Sequence, residues 1–253
     1  MKSKKLKKWT TLLTCATALT VMTACSQSSS QSTGTTSSTT SKTSAVTATT
    51  SKKTNKNNSN YFTSKDSDTS YNESSATKIK LSGSSADVSG DGAALSGSTV
   101  TISKAGTYVI SGKSDGLQIK VDAGDSDDVH IVLDGVTMTN TNAAINATKT
   151  GHVYLTLKDG TANTLSDSSS NSDEDADAVI FSKGDLTING SGTLNIDAKK
   201  NNGIKANDSL HMTGGTYKIT SVGDAFNVND ELNITGTTMT IESEEDAVKV
   251  DND

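Results

Sequence analysis

The 253-residue sequence contains no proline and no arginine, and it has only two cysteines and one tryptophan. Cys15 and Trp9 lie in an N-terminal segment that we expect to be removed, which leaves Cys25 as the single thiol of the mature chain and excludes an internal disulfide. Three scattered histidines without a usable thiol argue against a zinc site. The fold must therefore be stabilised by packing, by backbone hydrogen bonds or by a metal other than zinc.

The N-terminus has the pattern of a bacterial lipoprotein signal. A lysine-rich start, MKSKKLKKW, precedes TTLLTCATALTVMTAC, an apolar stretch that is short for a membrane span and ends in small residues. Residues 21–25, VMTAC, resemble a lipobox, in which the cysteine becomes the lipidated first residue. We predict a signal peptide at residues 1–24 and a lipid on Cys25 that holds the protein at the bacterial cell surface. An ordinary secretory signal is the alternative.

The segment after Cys25 has little from which to build a core. Residues 26–60 contain 21 serines or threonines in 35 positions. Such a segment cannot bury enough apolar surface to offset the entropy lost on ordering. We therefore predict a disordered tether over residues 25–72 and a folded domain over residues 73–253.

Charge and aromatic content limit the partners of this domain. Residues 1–80 carry a formal charge of +9, whereas residues 81–253 carry −15. An acidic domain argues against nucleic acid as a partner and favours cations. The mature chain has only five tyrosines and three phenylalanines, so an aromatic platform that stacks against neutral sugar rings is hard to build.

From about residue 75 the chain reads as short strands separated by Gly, Asn, Asp and Ser, without a sustained helical period. Gly203, Ala225 and Ala247 are 22 residues apart, and AVIF at 178–181 precedes GIKA at 203–206 by 25 residues. Three strands per unit of 22–25 residues are typical of a parallel β-helix. We predict an all-β parallel β-helix with an acidic insert at 166–177 and a cap or irregular β segment at 75–115. A β-sandwich of hairpins is the structural alternative.

Acidic and amide side chains recur at two corners of the repeat. Before the first strand of each unit we expect a column of Asp177, Asn202, Asp224 and Asp246. After that strand we expect the stacked pairs Asn207-Asp208, Asn229-Asp230 and Asp251-Asn252, with Asp208, Asp230 and Asp251 as candidate metal ligands. Like charges about 4.8 Å apart repel unless something neutralises them, and calcium takes oxygen ligands at about 2.3–2.6 Å. The pattern predicts at least one calcium site among these residues. The alternative is that they form turns and amide ladders alone.

Several segments together resemble a known family. They are LKDGTANTLSD at 157–167, GIKAND at 203–208, GDAFNVND at 223–230 and EDAVKVDND at 245–253. They are similar to the bacterial calcium-dependent carbohydrate-binding β-helix proteins, which are related in fold to family 9 polysaccharide lyases. The resemblance covers residues 75–253 and implies a right-handed β-helix that binds calcium and plant cell-wall polysaccharide, including pectin. The family's D-D-G-I element is weakened here, and relatives continue through further coils, so we expect a C-terminally truncated chain.

These features favour a monomeric surface protein that binds acidic, pectin-like polysaccharide through calcium without cleaving it. A pectate-lyase-like enzyme is the alternative, because related lyases use a lysine base and because Lys205 and Lys249 occupy equivalent positions on the first strands of their units. A lyase base requires a depressed pKa, whereas an acidic surface raises the pKa of a lysine. A structural surface protein or adhesin is the third possibility.

Overall fold

The computed structural model describes residues 46–49 and 61–251, all of which belong to one compact unit spanning residues 41–253. The predicted signal peptide, the lipid site at Cys25 and most of the predicted tether lie outside the described residues. Within them the regular structure consists of β-strands and one 3-10 helix at Lys65–Ser67. No helix in this part of the chain is long and apolar enough to cross a membrane. The all-β prediction is confirmed.

The first strands in chain order are β1 (Val46–Thr49), β2 (Thr77–Gly83), β3 (Ser85–Ser89), β4 (Ala93–Ser96), β5 (Thr99–Ile102), β6 (Gly106–Asp115), β7 (Gln118–Asp122) and β8 (Asp128–Thr139). The next are β9 (Ile145–Lys149), β10 (His152–Leu157), β11 (Ala162–Ser166), β12 (Ala178–Ser182), β13 (Asp185–Gly190) and β14 (Thr193–Ala198). The last are β15 (Asn202–Ala206), β16 (Leu210–Thr213), β17 (Thr216–Ser221), β18 (Phe226–Val228), β19 (Leu232–Thr235), β20 (Thr238–Ser243) and β21 (Lys249–Val250).

From β9 to β18, each strand pairs in parallel with the strand three places further along the chain. This pairing forms three ladders. The first contains β9, β12, β15, β18 and β21, the second β10, β13, β16 and β19, and the third β11, β14, β17 and β20. β7 extends the first ladder, and the long β8 extends the other two. A sandwich of hairpins would pair sequential strands antiparallel, and these ladders do not.

The register confirms the predicted repeat and corrects one position in it. Leu210 pairs with Leu232, which is the expected 22-residue step. Ile180, however, pairs with Ile204 and Ala178 with Asn202, a step of 24 residues rather than 25. A shift of one residue would turn the side chains of the strand to the other face, and both isoleucines are buried in the core. Asp177 is therefore level with Asn201, and the predicted column of Asp177 above Asn202 is wrong by one position.

The N-terminal part of the domain is irregular, as expected for residues 75–115. β2 and β3 form an antiparallel pair, and so do β4 and β5. β2 also pairs in parallel with β6, which continues the sheet through β8. At the far end of the third ladder, β1 pairs antiparallel with β20.

The core lies between the ladders and is built from stacked aliphatic columns. Leu186 and Leu210 stack on adjacent strands of the second ladder, and Ile196 and Ile219 do so in the third. All four are almost fully buried. Each such side chain contributes about 1.5–3 kcal/mol through burial, so repetition of one apolar position stabilises every repeat in the same way.

Tyr217 is a local exception within this core. Its ring is buried, its hydroxyl has no hydrogen-bond partner among the described residues, and burial raises the pKa of the phenol. A buried polar group without a partner costs about 1–3 kcal/mol. We therefore expect Tyr217→Phe to stabilise the protein by about 1 kcal/mol in urea unfolding. Tyr108→Phe is the matched control, because the Tyr108 hydroxyl donates to the Lys104 carbonyl at 2.8 Å and its loss should destabilise; a loss of stability in both variants would contradict the account.

Residues 62–71, which we call the strap, pack on the outer side of the second ladder. The sequence assigns them to the disordered tether, but the structure places Asp66 with only 2% of its surface exposed. Its carboxylate accepts a hydrogen bond from the Thr187 hydroxyl at 2.7 Å, across 121 residues of chain. The ordered part of the protein thus begins before the expected boundary at residue 73, because a polar sheet face supplies partners for a polar segment.

The strap should detach in acid. Burial opposes ionisation of Asp66, but hydrogen bonds from Thr187, Thr63 and His211 outweigh it and hold the pKa of this carboxyl below its ordinary value of 3.8. The stability that Asp66 contributes is therefore fully present above about pH 4 and is lost as pH falls through the lower, folded-state pKa. We expect the protection of residues 62–71 against hydrogen exchange, relative to the intrinsic rate at each pH, to fall below pH 4 while the second ladder stays protected. Loss of strap protection already between pH 7 and 5 would contradict this assignment.

Candidate functional site

The corner before the first ladder contains Asn202, Asp224 and Asp246 at equivalent positions of successive repeats. The Asn202 Oδ1 atom accepts the Asp224 backbone N–H at 3.0 Å, and the Asp224 Oδ1 atom accepts the Asp246 N–H at 3.1 Å. The remaining oxygen of Asp224 accepts the Asn227 amide at 2.8 Å. Asn202 and Asp224 are buried. This column therefore links repeats through side-chain to backbone hydrogen bonds and has few oxygen lone pairs left for a ligand.

Asp177 lies beside this column in an ion pair. Its carboxylate accepts the Lys205 ammonium at 2.7 Å and the Asn201 side-chain amide at 2.6 Å. The acidic insert that ends at Asp177 contributes a nearby pocket of about 360 Å³. Asp177 is thus neutralised by Lys205, which the sequence indicates as a candidate catalytic base.

The corner after the first ladder has a different character, and we call Asp185, Asp208 and Asp230 the acid corner. Burial raises the pKa of the Asp208 carboxyl, and the charges of Asp185 and Asp230 raise it further. In the described part of the chain, neither Asp208 nor Asp230 forms an ion pair. Like charges that remain unpaired favour binding of a cation.

Asp185 was missed by the sequence interpretation. It is the first residue of β13 and lies one repeat before Ser209, whose backbone N–H it accepts at 3.2 Å. The two segments GDLTING and DSLHMTG share the turn that precedes the second ladder, but the acid occupies a different place in each. The repeat pattern alone therefore could not assign Asp185 to this corner.

The acid corner fits the chemistry of calcium but does not form a closed metal site. Its donors are all carboxylate oxygens, the type that calcium prefers, and calcium takes six to eight of them. No group of three His, Cys, Asp or Glu side chains within residues 61–251 is close enough to hold a metal ion. Further oxygens would have to come from backbone carbonyls, water or the ligand. An adjacent pocket of about 500 Å³ leaves room for such a ligand and is lined by Asp122, Asp125, Lys149, Lys183 and Asp208.

The lysine column predicted from the sequence is present, with Lys205, Asn227 and Lys249 on adjacent strands of the first ladder. Lys249 lies 3.3 Å from Asp251. The hydrogen bond and charge of Asp251 raise the pKa of Lys249, the opposite of what a lyase base requires. Asp251, predicted as a metal ligand, is thus paired with a lysine.

The aromatic side chains mostly serve the fold. Tyr108, Tyr217 and Phe226 are almost fully buried, and Tyr61 is the one Tyr or Phe of the described residues that is exposed. The described surface therefore has no row of exposed aromatic rings.

Comparison with known proteins agrees with this architecture. The family model described as carbohydrate-binding domain-containing protein matches residues 96–253. A carbohydrate-binding domain-containing protein from Acetivibrio thermocellus is 37% identical over 135 residues, which are 51% of this chain and 47% of that protein. The chain thus matches about half the length of this relative. A solved structure of a polysaccharide lyase-like protein from C. thermocellum, a gadolinium derivative, matches with a TM-score of 0.59 and 25% identity over 70% of this chain and 95% of its own. The chain belongs to the family of carbohydrate-binding domain-containing proteins.

Proposed function

We propose that this protein binds acidic polysaccharide through calcium held at the acid corner, and that it does so without cleaving the chain. The observation that carries the proposal is the pair Asp208 and Asp230, whose carboxylates form no ion pair in the described residues, while burial and then the charges of Asp185 and Asp230 raise the pKa of the Asp208 carboxyl. A calcium ion would relieve that repulsion. Because the protein offers few ligands there, carboxylates of a uronate chain would complete the coordination shell.

Two further observations support a hard cation and an acidic ligand. The polysaccharide lyase-like neighbour was solved as a gadolinium derivative, and hard cations take oxygen ligands. The described surface also has no row of exposed aromatic rings for stacking against neutral sugars. Calcium bridging between protein and sugar carboxylates would supply affinity without such stacking.

Non-cleaving action is supported by the state of the two candidate bases. Lys205 is paired with Asp177, and Lys249 is paired with Asp251. Both ammonium groups are thus engaged by carboxylates of the protein, and the hydrogen bond and charge of Asp251 raise the pKa of Lys249, whereas a base that abstracts a proton must be a neutral amine.

For the scaffold, we propose that the three ladders wind as a right-handed parallel β-helix. Each repeat returns to the same ladder to form a parallel pair, and such crossover connections are right-handed in about 98% of cases. The predicted lipid on Cys25 and the serine- and threonine-rich tether would hold this rod at the cell surface.

Calorimetric titration of the chelator-stripped full chain tests the proposal. We expect saturable calcium binding, followed by uptake of polygalacturonate that chelator reverses and by no ultraviolet absorbance from unsaturated uronides. A rise in that absorbance would establish the lyase instead. Cellulose binding that resists chelator would rule out the calcium bridge, and failure to bind any polysaccharide would leave a structural surface protein.

A further inference from the structure

The strap follows the second ladder across its strands. Phe62 packs edge-on against His211 with ring centres 5.6 Å apart, and Tyr71 packs in the same way against His130 at 6.1 Å. Between them the Lys65 ammonium lies 4.5 Å from the centre of the Tyr154 ring. The strap therefore runs along the ladder from β16 to β8 and covers the outer side of four adjacent strands.

Every hydrogen bond that the ladder makes to Asp66 has its donor on the ladder. The Asp66 carboxylate accepts from the Thr187 hydroxyl at 2.7 Å and from His211 Nδ1 at 3.2 Å, where the ring must donate because a carboxylate can only accept. The Asp66 carbonyl accepts from the Asn189 amide at 3.2 Å and from the Thr213 hydroxyl at 2.6 Å. The ladder thus presents a cradle of four donors on β13 and β16 to one carboxylate and one carbonyl.

The ladder itself orients the β13 donors. The Thr156 hydroxyl donates to Asn189 Oδ1 at 2.6 Å, which directs the Asn189 amide nitrogen away from β10. The Thr187 hydroxyl also lies 2.9 Å from His152 Nε2. With the strap in place, Thr187 and Asn189 have no exposed surface. Contacts within the ladder therefore help to orient these donors, in addition to their contacts with the strap.

We infer that this cradle is a second binding groove, specific for a carboxylate-bearing sugar chain, and that the strap is its resident occupant. A uronate offers the groups that Asp66 supplies, namely a carboxylate and neighbouring oxygen acceptors. Adjacent strands of the ladder lie about 4.8 Å apart, so similar polar faces recur along the line in which the strap crosses the strands. Between the strap and the sheet lies a pocket of about 260 Å³, which is lined by Lys65, Asp68 and Ser70 of the strap and by Asp128, His130 and Tyr154.

This groove rests on the proposed preference for acidic polysaccharide, but it needs no calcium, since its donors are neutral hydroxyls, an amide and an imidazole. The strap competes with the sugar for the same donors. Only molecules with a detached strap can bind the sugar, so the apparent affinity is the intrinsic affinity multiplied by the detached fraction. Weakening the strap should raise the affinity for uronate without creating any new contact to it.

Two isosteric variants of the full chain distinguish the loss of the Asp66 contact to the ladder from the loss of one negative charge in the strap. Asp66→Asn leaves one accepting oxygen, which cannot serve both the ladder donors Thr187 and His211, which bond to Oδ1, and Thr63, whose N–H and hydroxyl bond to Oδ2. Asp68→Asn changes the net charge equally, but among the described residues the Asp68 carboxylate accepts hydrogen bonds only from Ser70, which is itself in the strap. In chelator we expect Asp66→Asn to bind oligogalacturonate about tenfold more tightly than the unmodified protein and Asp68→Asn. Adding Thr187→Val to Asp66→Asn should abolish the gain.

Equal affinities for Asp66→Asn and Asp68→Asn in chelator would overturn the inference. So would a gain for a poly-aspartate peptide without one for oligogalacturonate, since the groove would then recognise acidic peptide. Calcium-dependent binding at the acid corner is scored separately by repeating the titration with calcium. Loss of calcium-dependent binding alone would refute the proposed calcium bridge and leave the inferred groove unaffected.

Hydrogen–deuterium exchange on the unmodified protein keeps the inference testable should Asp66→Asn fail to fold. In chelator, saturating oligogalacturonate should accelerate exchange in residues 62–71 several-fold, because the displaced strap loses its partners. Neutral cello-oligosaccharide should leave it unchanged. Unchanged or slower strap exchange with oligogalacturonate would contradict displacement.

Discussion

Replacing Asp208 with asparagine is expected to stabilise the calcium-free protein and at the same time to weaken its calcium-dependent hold on polygalacturonate about 10–100-fold. The two effects have one cause. Without calcium, the Asp208 charge faces Asp185 and Asp230, and relief of such exposed repulsion is worth about 0.5 kcal/mol. With calcium, the same charge is a ligand, and removing a metal-site group typically costs about 10–100-fold in affinity.

The stabilising effect should depend on pH in a defined direction. Burial, and then the charges of Asp185 and Asp230, raise the pKa of Asp208 above its ordinary value of 3.8. A raised carboxyl pKa means that the folded state binds the proton more tightly, so ionisation lowers stability as pH rises from 3.8 through the folded-state pKa. The gain from Asp208→Asn should therefore be present at pH 7 and absent below about pH 3.8.

Thermal unfolding with and without calcium measures the gain in stability, and polygalacturonate titration measures the loss of calcium-dependent affinity. Asp87→Asn is the control, because Asp87 is exposed on β3 and the variant changes net charge equally. A stabilisation by Asp208→Asn without loss of calcium-dependent binding would show that the acid corner is unfavourable electrostatics alone. A loss of stability without calcium would show that Asp208 forms a contact that repulsion does not describe.

The second large effect is expected at Gly190, where Gly190→Ala should destabilise the protein by about 3–5 kcal/mol. Gly190 ends β13 opposite Leu157 and has a φ of +100°. A Cβ atom there would lie 2.2 Å from the Leu157 carbonyl oxygen. The clash is with backbone of the neighbouring repeat, so it can be relieved only by separating the strands, and overpacking adds about 1–3 kcal/mol to a similar conformational strain.

Gly160→Ala is the matched control for this experiment. Gly160 has a φ of +70°, but a Cβ atom there would meet nothing within 4 Å. The variant should cost about 1–2 kcal/mol, the strain of a left-handed residue alone. Urea unfolding of both variants separates the cost of a left-handed backbone conformation from the cost of the clash with the neighbouring repeat. Equal costs would mean that the repeats can move apart at this turn more easily than parallel pairing allows.

The sequence by itself determined the repeat and most of its structural consequences. Strand type, the 22-residue step of the last repeats and the stacking of Asn202, Asp224 and Asp246 are all readable, because each repeat packs against the next in the same way. The structure also confirms the shared column of Lys205 and Lys249. Where the repeat varies in length, the prediction is wrong by one residue. Asp177 lies level with Asn201 and not with Asn202, because similar short strands align almost equally well one residue apart.

Only the tertiary structure decided which acids are free and which segments are ordered. Asp177 and Asp251 carry the same charge as Asp208, yet lysines pair with the first two, while Asp208 faces Asp185 and Asp230. The strap has no apolar period that would predict order. It is ordered because Asp66 meets donors on strands more than a hundred residues away, and partners so distant in the chain leave no pattern in the local sequence.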